Sequence, residues 1–333
     1  MGPVVPDFMP HALASFGPMD GDVSISSAAR GAQGEVWRVT VGHQMYALKH
    51  VMAGRPPQAQ VDTEVLFSGR AAAAGIHLPT SHASRNGDYV VPLPDGGWLR
   101  LFDWVDLEPA DLTGGPEVLG VLLARLHRCA PPVERESDGA PPDRWYEIPP
   151  DLDSWKTLVG AATDAGMPWA TRLGAAADGL PAVHALVASA DASQMRLCHR
   201  DLHPDNVLAD ESGELVVLDW ESCGPAEPAR ELVRTLVACF HDGQPDLGSV
   251  RRAYRSYLAA DGPARVRSVA DFTMLIAAHL NFLQLQVRVA LDPASPQRDR
   301  QWAELEIDES LRTLPTPELV TAVLDVLDDA STG

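Results

Sequence analysis

Lysine is scarce in this chain of 333 residues: it occurs at Lys49 and Lys156, and the other 24 basic residues are arginine. A lysine that remains where arginine is used almost everywhere else is a candidate functional residue. Cysteine is scarce as well, and the four residues show no spacing typical of a metal site or a redox pair. They are Cys129, Cys198, Cys223 and Cys239. We therefore expect reduced thiols and a cytoplasmic protein.

Two further absences narrow the class of protein. Residues 1–17 contain no basic stretch followed by an apolar run, so we expect no signal peptide. No uninterrupted apolar run approaches the roughly 18 residues that a membrane span requires. The sequence therefore predicts a protein without a membrane partner.

Positive charge is deficient overall, with 26 Lys and Arg against 46 Asp and Glu and a net charge of −20. The first 102 residues are almost balanced, with 8 acidic and 7 basic residues, so nearly all of the excess lies further along the chain. The negative electrostatic field of such a chain repels nucleic acid and is suited to a cationic substrate. An acidic surface that merely keeps the protein soluble is the alternative.

The first third of the chain reads as strands around one helix. Residues 36–41 and 45–49 are rich in β-forming residues on both sides of a glycine turn, and 59–74 has a helical pattern. Residues 88–92 and 98–104 flank Asp95-Gly96-Gly97, which predicts a hairpin. Residues 1–22 read as a loose arm with one short helix.

From residue 105 onward helical patterns dominate. One apolar face runs through residues 117–127, and an acidic, proline-rich stretch at 131–154 reads as a long loop. A second hairpin is predicted at 207–218. The sequence thus predicts an α+β fold of two lobes: a nucleotide-binding N-lobe with a small antiparallel sheet at 23–104, and a larger, mainly helical C-lobe for catalysis and substrate binding at 105–333.

The most informative segment is His199-Arg200-Asp201-Leu202-His203-Pro204-Asp205-Asn206. Asn206 directly precedes the first strand of the second hairpin and Asp219 follows its last strand. Antiparallel pairing brings two hard oxygen ligands together there, which suits Mg²⁺ beside nucleotide phosphates. Asp201 is placed to accept a proton from an attacking hydroxyl, so these three residues predict phosphoryl transfer. Their spacing matches the catalytic loop of protein kinases.

The N-lobe supplies the partner motifs. Ala29-Arg30-Gly31-Ala32-Gln33-Gly34-Glu35-Val36 fits a glycine-rich phosphate loop whose first glycine is replaced, with Gly31 and Gly34 as the remaining glycines. Lys49 ends the following strand pair, where its compact ammonium can reach nucleotide phosphates. Glu64, on the next helix, is expected to pair with Lys49 and to aim it.

Taken together, these motifs resemble the aminoglycoside phosphotransferase family of small-molecule kinases over residues 23–310. The resemblance rests on GAQGEVWRV, YALKH, CHRDLHPDNVL and VVLDWESCGPAEPARELVR. It implies a bilobal, protein-kinase-like fold, with Asp201 as catalytic base and Asn206 and Asp219 on magnesium. It further implies that Lys49, together with Glu64, binds the phosphates of ATP. Backbone groups of Asp103–Val105 would bind the adenine.

The sequence does not name the acceptor. A cationic antibiotic, either an aminoglycoside or a basic peptide, fits the acidic C-lobe and would make this a resistance enzyme. A housekeeping kinase of a small metabolite, such as an amino alcohol or a sugar, would carry the same motifs, as would a macrolide kinase. A pseudokinase binding module is disfavoured because the motif residues are intact. GTP is the alternative donor, and the oligomeric state stays open.

Overall fold

The computed structural model describes residues 9–17, 22–30, 34–52, 54–94, 96–133 and 143–332. The chain divides into two compact units: Met1–Pro109 with Val207–Glu221, and Ala110–Asn206 with Ser222–Gly333. The first unit is built mainly on antiparallel sheet and the second mainly on helices. The predicted combination of a strand-rich and a helical part is confirmed.

Six strands form the main sheet of the first unit. They are β1 (Val23–Arg30), β2 (Gly34–Val41), β3 (Gln44–Val51), β4 (Ser81–His82), β5 (Val91–Pro92) and β6 (Trp98–Asp103). Their order is β1-β2-β3-β6-β4, with β5 paired to β6, and every pairing is antiparallel. The predicted strands at 36–41 and 45–49 and the predicted hairpin that ends at β6 are confirmed.

Helices cover this sheet. A short helix α1 (Met9–Leu13) lies in one core with Trp37, Leu48 and Leu99, and both Met9 and Leu13 are fully buried. The expectation of a loose arm is therefore wrong for residues 9–17, since apolar side chains fasten the helix to the sheet. The longer helix α2 (Gln58–Ala73) agrees with the predicted span, and its Val61 packs in a separate cluster.

A second, three-stranded sheet completes the first unit. It consists of β7 (Leu107–Pro109), β9 (Val207–Asp210) and β10 (Leu215–Val217), in the order β10-β9-β7. The predicted hairpin at 207–218 is confirmed, but the hairpin belongs to the first unit rather than the second. The reason is pairing: β9 pairs with β7, and the Val217 amide donates to the carbonyl of His77.

The second unit contains nine α-helices among the residues that are described, together with the two-stranded sheet of β8 (Arg196–Cys198) and β11 (Gly224–Ala226). The helices are α3 (Pro116–Cys129), α4 (Arg144–Glu147), α5 (Leu152–Asp164), α6 (Ala170–His184), α7 (Pro228–Phe240), α8 (Leu247–Ala259), α9 (Thr273–Leu291), α10 (Gln297–Arg312) and α11 (Pro317–Thr332). The last of these, α11, closes the described chain. The predicted helix at 117–127 is confirmed by α3, whereas the predicted loop at 131–154 contains α4 in its described part.

Close packing in this unit depends on one glycine. A Cβ at Gly120 of α3 would lie 2.0 Å from the carbonyl oxygen of Ala253 in α8, so the two helices approach as only glycine permits.

The segment Val269–Leu291, which includes α9, is long and apolar enough to cross a membrane by composition alone. However, 56% of it is buried within the protein, as in a core helix.

Candidate active site

The second hairpin positions Asp219. Val207 pairs with Val217 at its open end, and the chain then turns so that the Trp220 indole is buried edge-on against Phe67, with 5.4 Å between ring centroids. Asp219 adopts φ 55°, a left-handed conformation that aspartate tolerates better than most residues. Its side chain is 40% exposed, so the turn presents a carboxylate to solvent.

Lys49, on β3, contacts two carboxylates. Its Nζ lies 2.9 Å from Oδ1 of Asp219 and 2.9 Å from Oε2 of Glu221. Burial alone would lower the pKa of Lys49, but the two carboxylates outweigh burial and raise that pKa above its ordinary value. The ammonium is therefore charged throughout the physiological range. The structure brings together Lys49 and Asp219, which the sequence had placed in one site.

Glu64 does not pair with Lys49, contrary to the expectation from sequence. Its Oε2 lies 2.6 Å from Nη1 of Arg100, and both side chains are buried. Arg100 lies directly opposite Lys49 on β6, so it competes for the same carboxylate. No motif in the sequence predicted a role for this arginine, because its position beside Lys49 depends on the register of β3 and β6.

The glycine-rich loop is described from Gly34 onward, and the predicted residue Gly31 lies outside the described residues. A Cβ at Gly34 would lie 2.2 Å from the carbonyl oxygen of His50, across the β2–β3 pair. Glycine is thus required here for a close backbone approach. Whether these two glycines contact phosphates stays a prediction.

The segment Asp103–Val105 has two of its amides engaged. Asp103 donates to the carbonyl of Thr80, and Trp104 donates to the carbonyl of Met45. Across the described ranges, no backbone bond of the Val105 amide is found. A contact between this segment and a nucleotide base stays a prediction.

In the second unit, the loop after β8 carries Asp201. Oδ1 of Asp201 accepts a hydrogen bond of 2.8 Å from Arg234 of α7, and the same guanidinium donates at 2.7 Å to the carbonyl of Arg200. Burial would raise the pKa of Asp201, but Arg234, His203 and His199 together outweigh it and lower that pKa. Asp201 is therefore an ionised carboxylate with one oxygen, Oδ2, turned away from the arginine.

Asn206 is oriented by the same loop. Its Nδ2 donates at 2.9 Å to the backbone carbonyl of Asp201, which leaves the amide oxygen Oδ1 free to act as a ligand. Asp219 offers its Oδ2 in the same way. Amide and carboxylate oxygens are the donors that Mg²⁺ prefers, so both residues fit a magnesium ion.

Arg200 precedes Asp201 and adopts a left-handed conformation, with φ 67°. Its Nε donates at 2.6 Å to the carbonyl of Ser222, and its guanidinium lies 4.5 Å from the ring centre of Tyr146. Asp143 lies 3.6 Å from Nη2. A carboxylate, backbone carbonyls and an aromatic ring therefore hold Arg200 together.

Glu231, on α7, braces the loop that carries Asp201. Its Oε1 accepts from the Arg200 amide, and its Oε2 lies 2.9 Å from Nε2 of His127. The His127 ring is fully buried, and its Nδ1 lies 3.0 Å from the hydroxyl of Tyr257. A buried chain of polar groups therefore runs from α8 to the residue before Asp201.

The sequence reasoning missed the residues that act through tertiary contacts, which are Arg100, His127, Glu221, Arg234 and Tyr257. Glu221 had a local signal, since it follows Asp219 by two positions in D-W-E. The others lie on separate helices and strands, and no spacing marks them.

Comparisons with known proteins agree with this geometry. The chain matches the Phosphotransferase enzyme family over residues 24–269. No curated protein matches its sequence. Three solved structures show the likeness in fold. A spectinomycin phosphotransferase in complex with ADP and spectinomycin has 15% identity and a TM-score of 0.59, over 93% of this chain and 94% of that one.

An amicoumacin kinase in complex with AMP-PNP, Ca²⁺ and its ligand has 16% identity and a TM-score of 0.58, over 94% of this chain and 96% of that one. A microcompartment-associated aminopropanol kinase has 18% identity and a TM-score of 0.58, over 96% and 100%. The predicted kinase-like fold is therefore confirmed over nearly the whole length.

Proposed function

Because the chain belongs to the phosphotransferase enzyme family, we propose that it transfers the γ-phosphoryl group of ATP to a hydroxyl of a small molecule. The acceptor oxygen forms the new bond to phosphorus, and the bond between γ-phosphorus and the bridging oxygen breaks. The products are ADP and a phosphate ester. The observation that carries the proposal is the Asp201 carboxylate, which Arg234 fixes through Oδ1, while Asn206 and His203 lie 3.5 and 3.9 Å from Oδ2.

Asp201 is the proposed base. Oδ2, the oxygen that Arg234 does not bind, receives the proton of the acceptor hydroxyl, while Arg234 holds Oδ1. The lowered pKa of Asp201 makes it a weak base. Phosphoryl transfer needs little more than that, because most of its catalysis comes from positioning and from charge neutralisation.

The donor site is proposed on Lys49, Asp219 and Asn206. Lys49 binds nucleotide phosphates with a charge that its two carboxylate neighbours maintain. Asp219 and Asn206 would hold Mg²⁺, which neutralises charge on the phosphates when bound. We also propose that the nucleotide phosphates contact Gly31 and Gly34. The adenine would contact the backbone of Asp103–Val105, through the Val105 amide. GTP is the alternative donor, since an amide contact does not by itself select a purine.

We further propose that the acceptor is cationic. The carboxylates of the 131–154 stretch do not support this: Glu134, Glu136 and Asp138 lie outside the described residues, and those that are described have partners in the protein. Glu147 binds the buried Arg230, Asp151 caps α5, and Asp153 binds Lys156. We propose instead that carboxylates of α10 bind the cationic acceptor.

One face of α10 carries Trp302, Leu305, Glu306 and Glu309, at helical spacing. Trp302 and Leu305 are 46% and 67% exposed. The pKa of Glu306 is raised, first by burial and then by the charges of Glu309 and Asp205. Asp205 belongs to the catalytic loop, so these three carboxylates are electrostatic neighbours within the second unit. An aromatic ring beside carboxylates suits an amine-bearing acceptor.

An amine-bearing antibiotic, which would make this a resistance enzyme, and an amino alcohol metabolite both fit this face. A neutral macrolide gains nothing from it, and an inactive binding module would not need the fixed Asp201. The four cysteines are free thiols, consistent with the proposed cytoplasmic location.

The test is a coupled assay of nucleotide turnover with ATP or GTP and Mg²⁺ against aminoglycosides, basic peptides, amino alcohols, sugars and macrolides. We expect turnover with an amine-bearing acceptor and a phosphate ester in the product by mass spectrometry. Turnover of every acceptor no faster than that of the Asp201→Asn variant would overturn the proposal.

A further inference from the structure

Two cations face each other in the sheet of the first unit. The register of β3 and β6 places Lys49 directly opposite Arg100. Side chains directly opposite on neighbouring strands point to the same face, and like charges there repel. Each cation therefore needs a carboxylate of its own, and the structure supplies Glu64 and Glu221.

Arg100 takes Glu64. The two side chains are 1% and 6% exposed, and Nη1 lies 2.6 Å from Oε2. Nη2 of Arg100 also donates to the hydroxyl of Ser81 at 3.2 Å. Oε1 of Glu221 also lies 3.9 Å from Nη1, but if Glu64 turned to Lys49 the buried guanidinium would lose its closest counter-charge, which is strongly unfavourable. Glu64 is therefore committed to Arg100.

Lys49 takes Glu221. Nζ lies 2.9 Å from Oε2, and the backbone carbonyl of Glu221 accepts a 2.8 Å hydrogen bond from Gln60 of α2. The neighbouring Trp220 packs against Phe67, which also lies on α2. The helix thus supports the lysine indirectly, by fixing the segment that carries Glu221.

We infer that Glu221, and not Glu64, is the carboxylate that positions Lys49 for nucleotide binding. The inference rests on the proposed function, in which Lys49 contacts the phosphates. Asp219, the other partner of Lys49, is also our proposed magnesium ligand. Glu221 is therefore the partner that remains with the lysine when Asp219 is committed to the metal.

The test measures ADP affinity by calorimetric titration, with and without Mg²⁺, in the full chain. We expect Glu221→Gln to weaken ADP binding about tenfold or more in both conditions, the scale of a hydrogen bond to a charged group. Lys49→Gln combined with Glu221→Gln should bind no more weakly than Lys49→Gln alone, because the glutamate acts through the lysine.

Glu64→Gln is the discriminating variant. It should lower the thermal midpoint, since Arg100 loses its buried counter-charge, and leave ADP affinity within about threefold of wild type, well below the effect of a lost charged contact. The double variant Glu64→Gln with Arg100→Met removes the unpaired charge, so it should regain stability and still bind ADP. If it folds but binds ADP about tenfold more weakly, while Glu221→Gln binds normally, the inference is overturned.

ADP titration needs no acceptor, so the two proposals fail separately. A wild-type protein that binds ADP but phosphorylates no acceptor would contradict the proposed reaction and leave the comparison of Glu221 with Glu64 intact. A wild-type protein that binds no ADP would overturn both.

Discussion

Arg234 on α7 holds the carboxylate of Asp201 through a 2.8 Å hydrogen bond to Oδ1, and it holds the loop through a 2.7 Å bond to the Arg200 carbonyl. The guanidinium therefore fixes both the backbone and the side chain at the proposed base. A single residue outside the motif thus holds one oxygen of Asp201 and contributes to the lowered pKa of that carboxyl.

The first prediction concerns pH. Arg234 lowers the pKa of Asp201 against the effect of burial, so Arg234→Gln should raise that pKa. A base must be deprotonated, so the acid limb of kcat/KM should move to higher pH. Arg234→Lys keeps the charge and should leave the limb near its original position. The pH–rate profile checks this, and an unmoved acid limb in the glutamine variant would contradict it.

The same shift links Asp201 to stability. Its folded pKa lies below its ordinary value, so its stabilising contribution is complete above that ordinary value and is lost as the pH falls through the folded one. Arg234→Gln should therefore make the thermal midpoint less sensitive to acid over that window. Differential scanning calorimetry on both proteins gives the comparison.

The second prediction concerns the base itself. Asp201→Asn keeps the size of the side chain and removes its proton-accepting charge, so ADP binding should persist while transfer falls by about 100- to 10,000-fold. Turnover within a factor of about three of wild type, on the same scale, would show that Asp201 is not the base.

Local patterns predicted much of this molecule. The hairpins, α2, α3 and the catalytic loop were readable because turn residues, periodicity and motif spacing are encoded within a few residues. The short helix α1 was misjudged as loose, since nothing in its five residues shows that Met9 and Leu13 meet the sheet core. The second hairpin was placed in the wrong unit, because its pairing with β7 spans about a hundred residues of sequence.

The pairing of charged side chains was the least predictable feature of the site. Glu64 was expected on Lys49 because both sit at positions typical of that pair, yet the register of β3 and β6 sets Arg100 beside them. Burial then decides the outcome, since the more buried cation holds the buried carboxylate. Composition and motif spacing contain neither strand register nor burial.

The third prediction concerns the metal. Asp219→Ala should abolish the effect of Mg²⁺ on nucleotide affinity, because it removes the carboxylate at the exit of the hairpin. Asn206→Ala should weaken that effect less, since it removes a neutral ligand. Magnesium titrations monitored by ADP affinity would show this order, and an unchanged magnesium response in Asp219→Ala would refute the assignment.

The fourth prediction concerns the buried brace. Burial would raise the pKa of Glu231, but His127 and the Arg200 amide outweigh it and lower that pKa. Its contribution to stability is therefore present above the ordinary value of 4.5 and is lost as the pH falls. Glu231→Gln should cost about 1–3 kcal/mol near neutral pH and flatten the acid dependence. The control Glu211→Gln, at an exposed turn, should change neither the thermal midpoint nor its pH dependence.

The last prediction tests the acceptor. If Glu306, Glu309 and Asp205 attract a cation, each exposed contact at 4 Å contributes about 1 kcal/mol in water and more where water is partly excluded. Such contacts weaken as the Debye length shrinks from about 10 Å at 0.1 M salt to about 3 Å at 1 M. The KM for the acceptor should therefore rise steeply with ionic strength, beyond any change in the KM for ATP.

Charge removal on α10 separates this from a general salt effect. Glu306→Gln combined with Glu309→Gln should raise the acceptor KM at low salt and reduce its salt dependence, with the KM for ATP unchanged. Asp153→Asn is the control, because Asp153 is also a carboxylate of the second unit but is already bound to Lys156. If the acceptor KM is flat with salt, or if the double variant behaves as Asp153→Asn does, the acidity of the second unit serves solubility and the acceptor is held by other groups.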